Sequence, residues 1–570
     1  MTQQRSREEL IAQDVKDLHG LGYAQELLRE MGGFSNFAIS FSIISILTGA
    51  VILYDYGLAW AGTAAVLIGW PLVTVFVLLI AASMAEIASA YPTAGGLYYW
   101  ASKMKNKNWG WWTAWLNLIG QFAIVAGINF AAAAFLNATI ITPLLANAGI
   151  TYDNTTVVLG FGDPQTVVVS GQLLTMGVLM LVQLVMNIAG IRLVALLNQV
   201  SVWWHIGVVA LVVVLVFAVG KPDISGLTLF KIQPQDVAGS WENSNPLFKL
   251  SYGSAQTYPL VLAFLFSLLL ANWTYTGYDA SAHVAEETVG ARMSSAWGVF
   301  LSVAVSAIVG FIFLLALTTH LPDLKTLFPA TLNDTTLPAS SQYYFGGGVA
   351  VISILQYNLN SIVLVGVGVG DLLAAGIAIA MSFCGLASIA AAGRMLFAFA
   401  RDDGVPASGW LKKVSHRFRT PANALTGIVV VAWLFTVAAG IVGGGTAIII
   451  VTAISTIFLY AAYGICIYLG ATTTDWLSHR VWSLGRWSKP IAWLAVFWVL
   501  VLMVLFSWPT SGNISWPFML GTVVLLLLYY FGWARARFQG PRIMGAEAEL
   551  TELEREFEQA AEHLGGATTA

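Results

Sequence analysis

Residues 273–279 read Trp-Thr-Tyr-Thr-Gly-Tyr-Asp, and residues 45–50 read Ser-Ile-Leu-Thr-Gly-Ala. Each lies near the middle of an apolar run, 258–287 for the first and 34–57 for the second. A bilayer core about 30 Å thick takes about 20 apolar residues per helix, so both runs are long enough to span. Glycine is about 1 kcal/mol less favourable than alanine inside a helix. Taken singly, a membrane-helix glycine most simply lets a neighbour pack closely. Two Thr-Gly pairs at matching depth weigh more. They predict two helices that unwind halfway through the lipid, where the freed N–H and C=O groups need partners.

Ten further runs follow the same length rule: 62–88, 110–142, 168–190, 194–220, 293–320, 368–400, 421–441, 444–470, 490–509 and 514–534. The total is twelve spans, and the interrupted ones are the first and the sixth. They therefore open two successive groups of five. The expected layout is an N-terminal segment (1–33), a first five-helix unit (34–220), a loop (221–257), a second five-helix unit (258–470), two more spans (490–534) and a tail (535–570).

Basic residues fix the expected orientation, because Lys and Arg concentrate in cytoplasmic loops. With the N-terminus in the cytoplasm, 22 of the 26 Lys and Arg fall inside; only Lys221, Lys231, Lys249 and Lys325 fall outside. Both termini are thus expected in the cytoplasm of a multi-pass plasma-membrane protein. Compact loops and short termini suggest a bacterial inner membrane. Residues 7–20 and 547–564 are polar with an apolar stripe. The latter, with Leu550, Leu553, Phe557 and Leu564, reads as an acidic amphipathic helix. A solvated terminus is its simpler reading, and docking on the cytoplasmic face the alternative.

Composition agrees. Of 570 residues, 58% are hydrophobic and 10% charged, with a mean hydropathy of +0.76. A soluble domain is about 25% charged. Twenty-two Trp suit many membrane–water interfaces. A net charge of −3 offers no basic surface for nucleic acid. Cys384 and Cys466 sit in apolar runs and imply neither a disulfide framework nor a metal site. HExxH, GxSxG and Walker patterns are absent, so neither an enzyme nor a bound cofactor is expected.

Interrupted helices at corresponding positions of two halves point to a solute site at mid-membrane. Longer signatures surround them: AEIASAYPTAGGLYYW at 85–100, TYTGYDASAHVAEET at 274–288, and FAFARDDG at 397–404 after Arg394. Together these resemble the amino acid–polyamine–organocation superfamily. The AHVAEET ending most resembles its amino acid/choline branch, which includes fungal choline and γ-aminobutyrate permeases. The resemblance covers about residues 25–535.

That resemblance implies an all-α fold like that of the leucine transporter: two inverted five-helix repeats, broken helices 1 and 6, and two extra helices. It implies secondary active transport by alternating access. It places Thr48, Gly49 and Ala50, beside Ser45, in the unwound part of helix 1 that receives a substrate carboxylate. Thr276, Gly277 and Tyr278 fall in the matching break of helix 6. Trp273 falls where related exchangers place an aromatic gate, and Asp279 where some relatives carry a pH-sensing carboxylate. His205 stands where a proton-coupled relative has a Lys in place of sodium beside helices 1 and 8, so Ser388 on helix 8 is its expected neighbour.

Ionisable groups at membrane depth are functional candidates by default. His205 titrates near neutral pH and reads either as a proton carrier or as a neutral core histidine. Asp279 reads as a partner for a substrate ammonium or as a cap on the second half of helix 6, with His283 four residues on and on the same face. Glu86, Glu286, Glu287 and Arg394 fall at cytoplasmic helix ends, where Glu287 with Arg394 is a candidate inner gate or a structural pair. Asp371 begins helix 8 as a dipole partner, and Asp55 belongs to the outer vestibule. Asn117 and Gln121 share one face of the third span and turn toward the substrate or, like Asn129, toward other helices. Thr452, Ser455, Thr456 and Tyr460 form a similar stripe in the tenth.

The expected function is secondary transport of a small amine-containing solute, an amino acid or γ-aminobutyrate, with a proton ahead of sodium as coupling ion. Exchange and choline or polyamine uptake are the alternatives. Choline would need an aromatic cage from Trp273 and Tyr278, with Asp279 as counter-charge. A receptor that binds without transport is a further alternative.

Overall fold

The computed structural model describes residues 6–150, 171–222, 230–234, 258–322, 349–443, 447–507 and 515–563. Most of the expected 221–257 loop, including Lys249, lies outside them, as does Lys325. Among the described residues the fold is all-α apart from one hairpin pairing Val363–Leu364 with Val367–Gly368.

Every run read as a span contains helix. Eleven helices are long and apolar enough to cross a membrane. They include Ala65–Gly69 with Trp70–Ala90 (second span), Lys107–Leu136 (third), Gly171–Ile188 (fourth), Ile191–Val219 (fifth), Ala291–Thr318 (seventh), Val369–Arg401 (eighth), Ala422–Gly443 (ninth), Ala447–Thr472 (tenth), Ser488–Ser507 (eleventh) and Ser515–Tyr529 (twelfth). The sixth stops short at Leu260–Thr274 because it breaks, resuming over Ala280–His283.

The sixth-span break is where the sequence places it. Gly277 has φ +90°, a conformation that side chains disfavour. The first-span break is not. Helix Gly33–Ile44 ends at Ser45, whose φ of 29° and ψ of 90° no helix accommodates, and helix Ile46–Ile52 starts directly after it. Thr48, Gly49 and Ala50 are therefore helical, which corrects the expectation of an unwound carboxylate pocket there. The Thr48 and Gly49 amides both donate to Ser45 O at 2.8 Å.

Gly49 instead does what a lone membrane glycine does. A Cβ on it would lie 2.7 Å from Thr274 Cα, so the two broken spans cross there backbone to backbone. The approach is reciprocal, because a Cβ on Gly277 would run into the Ile43 side chain. Gly277→Ala thus combines a positive φ with overpacking, each disfavoured by about 1–3 kcal/mol. Thermal unfolding of the purified variant should show a drop of several degrees.

The third span packs against the eighth and tenth, and the seventh against the first and second, so intact helices enclose both breaks. Polarity is inverted relative to a soluble protein. Leu181, Val214, Phe497 and Leu528 are more than half exposed on the outside, whereas Asn117, Gln121, His205, Asp279 and Ser388 are buried. The protein is a multi-pass membrane protein. The first and last described helices lie at one end of the bundle. Helix Arg7–Gly20, opened by a Ser6–Glu9 capping box, and helix Glu547–His563 meet there.

Candidate site at the broken spans

Asp279 organises the sixth-span break. Its Oδ2 accepts from Asn117 Nδ2 at 2.9 Å and Gln121 Nε2 at 3.3 Å, and lies 3.1 Å from His283 Nε2; its Oδ1 accepts from the Tyr463 hydroxyl at 2.8 Å. All five side chains are buried. Asp279 stands at the N-cap of helix Ala280–His283, as the dipole favours, but its carboxylate makes no capping bond there. It ties the third, sixth and tenth spans together. The other ring nitrogen of His283, Nδ1, lies 3.1 Å from Ala94 O. A carbonyl and a carboxylate are both acceptors, so the His283 ring bridges Ala94 O and the Asp279 carboxylate.

The break leaves backbone groups open. Gly277 N–H makes a long 3.3 Å bond to the Tyr463 hydroxyl. Among the described residues, the amides of Tyr278 and Asp279 donate to nothing, and the carbonyls of Tyr275 and Thr276 accept from nothing. The Tyr278 hydroxyl is buried without a partner among the same residues, beside the Tyr463 ring at 5.1 Å. Thr276 Oγ1 turns back to Trp273 O at 2.6 Å, and the Trp273 indole donates to Ser455 Oγ at 2.8 Å. Thr452 and Thr456 bond within their own helix, and Tyr460 donates to Asn272 O at 3.2 Å. Asn129 bonds Val125 O in its own helix.

His205 meets the other break directly. Its Nε2 lies 2.7 Å from Ser45 Oγ, which is 2.6 Å from Thr48 Oγ1. Its Nδ1 lies 2.7 Å from Ser201 O and so donates to it. Ser388, the expected neighbour, is not bonded to it; the Ser388 hydroxyl donates to Cys384 O at 2.8 Å within its helix. The eighth span reaches the break through Cys384, whose thiol donates to Ile43 O at 3.2 Å.

The termini-bearing end is sealed by buried ion pairs. Arg394 grips Glu287 through Nε at 2.8 Å and Nη2 at 3.1 Å, both side chains fully buried. Arg401 holds Glu286 at 3.0 Å and covers the Tyr23 ring at 3.9 Å. Glu286 also accepts from Ala94 N at 3.0 Å, on the loop that His283 touches. Glu86 pairs with Arg480 at 2.7 Å. The N-terminal stretch runs beneath: Glu30 and Met31 amides donate to Glu287 O, and Arg29 donates to Ala285 O and Thr288 O.

The tail docks here and is not merely solvated. Met544 N donates to Gly22 O at 2.9 Å, and Glu554 accepts from Gln25 N at 2.7 Å and meets His19 at 2.8 Å. Arg542 N donates to Asp402, which also takes the Tyr23 and Tyr98 hydroxyls. Burial pushes the Asp402 carboxyl above its usual range, against the pull of Arg401.

Two outlying carboxylates are placed more simply. Asp371 lies in the first turn of the eighth span and accepts from Gln356 and Asn360. Asp55 is buried beside Tyr56 N.

Sequence reasoning missed Tyr463 and Arg401. Tyr463 continues the Thr452–Tyr460 stripe by three residues, and Arg401 follows Arg394 by two turns, so helical spacing held both.

A family described as amino acid permease matches residues 31–529, a range that includes both breaks and the Glu287–Arg394 pair. The amino-acid permease BAT1 of Arabidopsis thaliana is 31% identical, over 92% of this chain and 95% of its own. A putative polyamine transporter of Candida albicans is 25% identical over 95% and 91%. The thiamine transporter thi9 of Schizosaccharomyces pombe is 28% identical over 88% and 81%. A match across nearly all the spans, and relatives aligned almost end to end, leave one conclusion: the chain belongs to the amino acid permease family.

Proposed function

We propose that the protein is a secondary active transporter for an amino acid or γ-aminobutyrate, working by alternating access as a proton symporter. One observation carries the substrate class: the sixth-span break presents open amides at Tyr278 and Asp279 and open carbonyls at Tyr275 and Thr276. Consecutive free N–H groups suit a carboxylate, and free carbonyls suit an ammonium. A solute with both satisfies groups that are otherwise costly to leave unpaired in lipid. The positions of the breaks support two five-span repeats, 34–220 and 258–470, with the solute between them. The basic residues support a plasma-membrane protein with both termini in the cytoplasm, which makes the Glu287–Arg394 pair the inner gate.

Within this reading Ser45, Thr48, Gly49 and Ala50 form the first-span wall. Thr276, Gly277 and Tyr278 form the sixth-span face, and Trp273 covers it. Asn117, Gln121 and Asp279 hold the third span to that face. Since Asp279 already has four partners, it acts as an anchor and not as the first contact of the substrate ammonium. His205 carries the proton, and Ser388 braces the helix turn from which Cys384 reaches Ile43 O beside the break. Neutral His205 accepts from the Ser45 hydroxyl; protonated, it donates, and Ser45 turns its own proton to Thr48. Protonation thereby reverses the hydrogen bond at the one residue that keeps the first span broken.

The test is uptake by proteoliposomes together with competition by an amide analogue. The carboxylate form should compete at least tenfold better, since losing one charged hydrogen-bond set is worth about 1.5–3 kcal/mol. Equal competition by the amide would favour a choline- or polyamine-like amine. That second reading draws on the polyamine and thiamine transporters among the relatives and on the Tyr278, Tyr460 and Tyr463 rings.

A further inference from the structure

A cavity of about 220 Å³ opens at the termini-bearing end, away from both breaks, between the second, tenth and eleventh spans. Its floor is apolar, from Ile87, Ile467 and Ala492, and Trp476 forms one wall. Its rim holds Arg480, Arg486 and Lys489. The charges do not balance. Glu86, the cavity's carboxylate, is already occupied: it takes Arg480 at 2.7 Å, Leu484 N at 2.7 Å and the Ser488 hydroxyl at 2.6 Å. Arg486 and Lys489 make no ion pair among the described residues, and both are exposed.

Their position adds to the imbalance. The eleventh span begins at Ser488, and a helix N-terminus repels cations and attracts anions. Arg486, which lies over the Trp487 ring at 5.5 Å, and Lys489 thus add, beside the start of a 20-residue helix, two positive charges without a carboxylate partner among the described residues. The outer face of the same helix then continues as an apolar stripe: Lys489, Trp493, Phe497, Leu500 and Val504 share one side, and the last four are 49–63% exposed. A positive mouth at one end of the bundle, an apolar floor and an apolar strip running into the bilayer match a molecule that is anionic at its head and hydrocarbon behind.

We propose that this cavity binds the phosphate headgroup of an anionic phospholipid, whose acyl chains lie along Trp493, Phe497 and Leu500. Glu86 holds Arg480 and the 484–488 turn in place, while Arg486 and Lys489 contact the phosphate.

The test uses the purified full-length protein, with phosphatidylglycerol, phosphatidylcholine and inorganic phosphate as separate probes, read by thermal unfolding and by lipid retention in native mass spectrometry. The variants are Arg486→Gln with Lys489→Gln, both exposed and remote from the core, and as control Arg535→Gln with Arg537→Gln on the twelfth span. Phosphatidylglycerol should stabilise and be retained, phosphatidylcholine and inorganic phosphate should not, and the first double variant should lose roughly thirtyfold in apparent affinity at about fivefold per cation. The control should lose less than threefold. Equal retention of phosphatidylcholine, or unchanged retention in the Arg486/Lys489 variant, overturns the proposal. Full stabilisation by inorganic phosphate alone also overturns it, in favour of a small-anion site. Transport activity enters none of these readouts, so they stand apart from the substrate reading.

Discussion

Arg394→Met, made alone, is expected to destabilise the protein by about 3–5 kcal/mol, because it strands the Glu287 carboxylate in a fully buried site. Arg394 offers two parallel N–H donors to that carboxylate, and no other cation among the described residues pairs with Glu287. The carbonyl of Glu287 also holds the amides of Glu30 and Met31, so expelling its side chain toward water disturbs the N-terminal stretch as well. The paired variant Arg394→Met with Glu287→Gln removes the stranded charge and should recover most of the loss. The two measurements separate the possible roles. If the pair only holds structure, the double variant regains both thermal stability and uptake. If it is a gate, the double variant regains stability but stays open at the termini-bearing end. Labelling of a cysteine introduced at Ser40, a buried first-span residue whose hydroxyl donates to Tyr278 O at 2.8 Å, then becomes several-fold faster while concentrative uptake falls. A single variant as stable as the wild type would show that water or another cation reaches Glu287.

Much of this architecture was legible because spanning a bilayer is a one-dimensional demand. Length and hydropathy give all twelve spans without any knowledge of neighbours. The sixth break was legible too, since Gly277 adopts a backbone conformation that its residue type permits. The first break was not. Ser45 carries no local signal for φ 29°; what holds it is His205, 160 residues away, through a 2.7 Å bond. The visible Thr-Gly pair next to it serves a different purpose, the close crossing at Thr274. Identical dipeptides thus mark an unwound turn in one span and a helix contact in the other. Only partners distant in sequence distinguish them. The same holds at the termini-bearing end. Glu287 with Arg394 follows from charge at helix ends, whereas the stacking of Arg401 on Tyr23 depends on a chain path beneath the bundle that no periodicity encodes.

His205→Ala is expected to abolish proton-driven accumulation while leaving substrate binding within about threefold. If one proton accompanies each solute, a one-unit pH gradient supports up to about tenfold accumulation. The variant should equilibrate its substrate near onefold and still catalyse counterflow. The contrast with Asp279 sharpens the expectation. Asp279 and His283 form a closed, buried contact that ends on Ala94 O, and its removal unties three spans; Asp279→Asn should lower binding and uptake together. His205 faces no carboxylate among its bonded partners, only Ser45 and Ser201. A proton on its Nε2 would meet the Ser45 hydroxyl and no carboxylate. Ser45→Ala supplies the second arm: with no hydroxyl to invert, gaining or losing the proton no longer acts on the break, and coupling should fail although His205 is intact. If His205→Ala keeps the wild-type pH dependence of uptake, the proton travels elsewhere, and the buried Asp279–His283 pair becomes the next group to titrate.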